Sequence, residues 1–170
     1  MKKVFLLAPL VVLLALQGYA QHTPTVEMFG GYSHDRILSA GSGEPVHSNG
    51  WEASANWNLN HWFGLKADFD GSYCCHQQYL YSFLGGPQLS LRKEKYTFFV
   101  HGLFGGAHAK GLVTTDTNLA WALGGGVDWN VHRVVAIRLP QVDYFGTRFV
   151  DGTQNDLRLS GGLVFRFGRK

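Results

Sequence analysis

Residues 50–73, GWEASANWNLNHWFGLKADFDGSY, decide the fold. From Trp51 to Leu59 the odd positions are Trp51, Ala53, Ala55, Trp57 and Leu59, and the even ones are Glu52, Ser54, Asn56 and Asn58. After Asn60–His61 the alternation resumes, with Phe63, Leu65, Ala67, Phe69 and Tyr73 against Lys66, Asp68, Asp70 and Ser72. Side chains of a strand point to opposite faces with period two, so the stretch predicts two β-strands joined by a tight hairpin. The pattern alone leaves open which face meets water.

The same period recurs along the chain and predicts further strands over 24–33, 79–92, 96–108, 117–129, 134–148 and 154–167. In the seventh strand the phase slips at Leu139–Pro140, leaving Arg138 and then Gln141 and Asp143 on the polar face. A proline cannot donate to a ladder, so a bulge is expected there. Short turns at Asn60–His61, Lys93–Lys95 and Asn130–His132 alternate with longer, more polar connections at His34–His47, Cys74–Gln78, Ala109–Asp116 and Phe149–Thr153. Eight strands connected in this way make an antiparallel up-and-down meander, and closing it into a barrel removes both edges. Glycine doublets such as Gly85–Gly86, Gly105–Gly106 and Gly161–Gly162 fall inside strands with no helix to follow. They are expected to bend the barrel wall rather than to cradle a phosphate.

Volume decides which face is wet. An eight-stranded barrel has an interior just wide enough for side chains to fill it. One face carries Trp51, Trp57, Phe63, Phe69, Phe83, Phe98, Phe104, Trp121, Trp129, Phe165 and Phe167, too many rings to share that interior. The other is rich in Gly, Ala and Ser and bears Glu27, Glu52, Lys66, Asp68, Asp70, Asp128, Arg138, Asp143, Arg158 and Arg166, with His101 expected to join them. Six acids and four bases are nearly balanced, and buried charges are tolerated when paired. The apolar face therefore points outward into lipid, and the fold class is an all-β, eight-stranded, antiparallel up-and-down transmembrane barrel. Strands of about 9–11 tilted residues suffice to span a bilayer.

Met1-Lys2-Lys3, the apolar run Val4–Leu16 and the small residues Gly18 and Ala20 form a secretory signal peptide over residues 1–20, with cleavage expected after Ala20. Residues 21–170 then make a single barrel domain. The chain has 15 Lys and Arg against 12 Asp and Glu, and loss of Lys2 and Lys3 takes the net charge from +3 to +1. That leaves no electrostatic case for a nucleic-acid partner. Cys74 and Cys75 are adjacent and cannot staple distant segments. With His76 they give three ligand types but no second cluster, so neither a metal nor any other cofactor is expected.

Apolar residues spaced by two at Leu163, Phe165 and Phe167, with Leu159 before them, close the eighth strand ahead of Gly168-Arg169-Lys170. This ending resembles the assembly signal of outer-membrane barrels. Over residues 24–168, and most in FVHGLFGGAHA and GGLVFRFG, the chain resembles the small OmpA-like outer-membrane β-barrel family. The resemblance implies the outer membrane of a Gram-negative-type bacterium. It also implies lipid and lipopolysaccharide as surroundings, and delivery by periplasmic chaperones and the barrel-assembly machinery. With the eighth strand ending the chain, no periplasmic peptidoglycan-binding domain is expected.

The volume argument opposes a soluble ligand-binding barrel, which would need the aromatic face inside, and three further function classes follow. The first is a non-catalytic barrel with a structural or surface-interaction role through its loops, its lumen plugged by the polar network. Loop one, His34–His47, is expected to carry any surface ligand. The second is a narrow porin-like channel. The third is a lipid-modifying enzyme, which needs a Ser and a His on one face within hydrogen-bond reach. The sequence has no His-x-Ser, and His47–Ser48 are adjacent, so no enzyme is expected.

Overall fold

The computed structural model describes residues 23–37, 46–74, 78–110, 115–149 and 152–168. The expected leader, Cys75 and His76 lie outside them. The described residues form β1 (Val26–Ile37), β2 (Val46–Asn58), β3 (Phe63–Cys74), β4 (Gln78–Arg92), β5 (Tyr96–Lys110), β6 (Thr115–Asn130), β7 (Val135–Phe149) and β8 (Gly152–Phe167). Each strand pairs antiparallel with the next and β8 pairs with β1, which closes the barrel.

The hairpin of the opening stretch shows why its turn falls where it does. Asn60 Oδ1 accepts hydrogen bonds from the backbone N–H groups of Trp62 and Phe63, at 3.0 and 2.7 Å. An asparagine side chain so placed imitates a backbone turn. The expected slip in β7 is also present, since the β7–β8 register shifts between Arg138 and Gln141. Its counterpart is a shift in the β6–β7 register between Gly126 and Asp128.

The strands run further than the sequence pattern predicts. His34, Asp35 and Arg36 belong to β1, and His47 and Ser48 to β2, rather than to a loop spanning His34–His47. Toward this end both faces carry polar residues, so the apolar–polar contrast fades while the backbone ladder continues from His34↔Asn49 to Ile37↔Val46.

Outward positions are large and apolar, with Phe104 67%, Leu123 62% and Phe83 61% exposed. Aromatics gather at both ends of this outer surface. Trp57, Trp62, Tyr96 and Trp129 lie toward the short turns, and Tyr32, Tyr73, Tyr81 and Tyr144 toward the other end. Trp51 Nε1 donates to the Tyr73 hydroxyl at 3.0 Å. Strands of 12 residues or more, at about 3.3 Å per residue and a tilt near 45°, cross roughly 28 Å, close to the hydrocarbon thickness of a bilayer.

The interior is less uniformly polar than expected. Phe29, Phe99 and Phe145 point inward and are nearly fully buried. Leu84, Leu103, Ala107, Ala120, Ala122 and Phe145 form one apolar cluster, and Phe29, Ala136 and Val164 another. Space for Phe29 comes from Gly31, since a Cβ there would meet the Phe29 ring at 2.7 Å.

Candidate functional site in the lumen

The alternation of each strand delivers the charged residues inward. Glu27 comes from β1, Glu52 from β2, Lys66, Asp68 and Asp70 from β3, and His101 from β5. Asp128 comes from β6, Arg138 and Asp143 from β7, and Arg158 and Arg166 from β8. Ten of the eleven are buried, and the Arg166 side chain retains 9% exposure.

Toward the short turns, Glu27 accepts from Arg92 Nη2 at 2.9 Å and from Arg166 Nε at 2.9 Å. Asn58 donates to the same carboxylate at 3.1 Å. Arg166 also donates to Asn130 Oδ1 at 2.7 Å and lies 3.9 Å from Asp128. Asp128 receives two hydrogen bonds from Arg138, at 2.7 and 3.1 Å, in a paired geometry that suits a planar guanidinium. The same guanidinium sits over the Phe29 and Phe99 rings at 4.6 and 4.1 Å. The inward phenylalanines thus serve as cation–π faces for a desolvated charge.

Nearer the loops, Arg158 gathers four carboxylates. Asp68 and Asp70 lie 3.1 Å away, Asp143 at 3.2 Å and Glu52 at 3.9 Å. Lys66 stands 3.3 Å from Asp68 and 3.6 Å from Glu52. His101 Nε2 is 3.0 Å from Asp143 Oδ1. Ser82 donates to Asp70, and Ser72 to Asp35.

Gln141 joins the two groups. Its carbonyl accepts from Arg138 Nη1 at 3.1 Å, and its amide nitrogen donates to Glu52 and to Asp143, both at 2.7 Å. Through this one neutral side chain all eleven residues belong to a single connected set. A reading that selects by charge passes over it.

The balance of charge differs from the sequence expectation. Asp35 and Asp156 add two acids and Arg92 one base to the inward set. Among the described side chains eight acids therefore face five bases, with the surplus toward the loop end. Asp35, Asp156 and Arg92 lie close to strand ends, where a period-two reading loses its contrast.

His47 is exposed on the outer face while Ser48 is buried within, so the two point apart as their adjacency requires. Among the described residues no group of three or more His, Cys, Asp or Glu side chains could hold a metal ion.

No protein-family model matches the chain, and no curated protein does. Solved structures do. Neisserial surface protein A is 12% identical, with 86% of this chain and 99% of that one aligned at a TM-score of 0.69. The attachment invasion locus protein Ail of Yersinia pestis is 17% identical over 84% of this chain and 100% of its own, at 0.59. The N-terminal barrel domain of Pseudomonas aeruginosa OprF is 9% identical over 85% and 100%, at 0.58. Such low identities speak for fold alone, and the fold is that of small eight-stranded outer-membrane barrels.

Proposed function

We propose that this chain is an outer-membrane barrel without catalytic activity, acting as a structural or surface-interaction protein through its loops, with its lumen closed by the polar network. The observation that carries this reading is the connected set running from Glu27 through Arg138 and Gln141 to Arg158, which crosses the lumen between strands on opposite walls. The outward apolar belt between two aromatic bands supports the membrane location. In this reading outer-membrane lipid and lipopolysaccharide surround the barrel, and chaperones with the assembly machinery deliver it after the leader is removed.

Planar-bilayer recording tests the closed lumen, with little steady conductance expected from the purified protein. One observation favours a second reading, a narrow channel. Among the described side chains, eight inward acids against five bases leave a negative surplus, so any such channel would favour cations. Large, stable, cation-selective openings would overturn the closed-lumen reading in favour of this one.

A further inference from the structure

We propose that His34 and His47 form a surface binding site for a late transition-metal ion, of the zinc or copper kind, at the loop end of the β1–β2 ladder. His34 opposes Asn49 and His47 opposes Arg36, which makes the two histidines diagonal neighbours on the outer face. His34 Nε2 lies 3.2 Å from His47 Nδ1, with ring centroids 5.3 Å apart and ring planes within 20°.

The surrounding bonds prepare one lone pair. Asn49 Oδ1 accepts from the Tyr32 hydroxyl at 2.7 Å and lies 2.8 Å from His34 Nδ1. A carboxamide oxygen only accepts, so the ring hydrogen of His34 resides on Nδ1 and Nε2 presents a bare lone pair toward His47. In the metal-free form His47 Nδ1–H donates to that lone pair. A metal ion takes the place of this shared hydrogen, and His47 carries its hydrogen on Nε2 instead. Two imidazole nitrogens, each about 2.0–2.1 Å from one ion, stand about 2.9–3.4 Å apart at right-angled to tetrahedral geometry. The spacing present is already within that range, and rotation about the last side-chain bonds turns both lone pairs onto the ion. The Nδ1–H of His34 keeps Asn49 as its outer partner, an arrangement that orients metal-bound histidines.

The donors select the kind of ion: calcium and magnesium take oxygen ligands and are disfavoured by two imidazoles, while Arg36, exposed on the same face, opposes any weakly held cation. Ions that bind imidazole through the nitrogen lone pair are retained. Water fills the remaining positions.

The test is calorimetric titration of Zn²⁺ into tag-free, folded protein in detergent, with ring-nitrogen NMR as a second readout. One ion per chain is expected, moving the signals of His34 Nε2 and His47 Nδ1. His34→Gln and His47→Gln should each weaken binding at least about tenfold, and Asn49→Ala about tenfold through loss of the orienting acceptor. His108→Gln on β5 should leave it unchanged. Migration on unheated gels verifies that each variant is folded. Absence of binding to the unaltered protein at millimolar Zn²⁺ would overturn the site, as would undiminished binding in the double His34→Gln/His47→Gln variant.

Discussion

Arg158 and Gln141 hold the lumen together in different ways. Arg158 is only 1% exposed and faces four carboxylates, so removing it strands several negative charges in a dry interior. Breaking a buried pair by deleting one partner typically costs about 3–5 kcal/mol. Arg158→Ala should lower unfolding stability in lipid vesicles by about that amount. Glu94→Ala in the exposed β4–β5 turn should change it by less than about 0.5 kcal/mol. Gln141 carries no charge, yet three of its hydrogen bonds reach charged groups. Gln141→Leu should cost about 1–3 kcal/mol by leaving those groups less satisfied. A double variant with Arg138→Ala tests the joining role. The two effects should be non-additive, because the residues share a bond, and simple addition would contradict the connected network.

At the scale of the strand, period two delivers most of what the fold uses. The β2–β3 alternation placed Glu52, Lys66, Asp68 and Asp70 together, because one register pairs Glu52 with Asp70 and Asn56 with Lys66 on the same face. It was equally informative along β6, where Leu119 and Leu123 are exposed and Ala120 and Ala122 buried. What stayed hidden has physical reasons. Phe29, Phe99 and Phe145 lie inward against guanidinium groups, in phase with Glu27, His101 and Asp143, so residue type alone points them the wrong way where the period does not. The continuation of β1 through His34–Ile37 is held by backbone hydrogen bonds that leave no mark on side-chain polarity. A face assignment has a direct energetic consequence on β6. Leu123→Arg should destabilise the barrel by about 2–4 kcal/mol if it meets mid-bilayer lipid. Ala122→Ser, one residue away, should be mild. Equal tolerance at both positions, read from unfolding in vesicles, would mean that the faces are reversed. Gly146 offers an independent check of the outer wall, because a Cβ there would meet the Trp121 indole at 2.6 Å.

For the whole molecule, the usual arrangement of a water-soluble protein is inverted, with most charges inside and most rings outside. In water this would expose an apolar surface far larger than monomers tolerate. In a bilayer the same surface is solvated by lipid, and among the described residues the closed ladder leaves no strand edge unpaired. A barrel of this kind should fractionate with outer membranes and shift its gel mobility on boiling. A soluble protein whose mobility is unchanged would not fit. The most direct measurement places a nitroxide label at successive positions 119–123 of β6, in cysteine-free protein reconstituted in lipid. Collision rates are then read with oxygen, which concentrates in the bilayer, and with a water-soluble nickel chelate. The inverted barrel requires oxygen contact that is high at 119, 121 and 123 and low at 120 and 122, with little nickel contact at any of the five. Strong nickel contact at the odd positions, or the opposite alternation for oxygen, would contradict it.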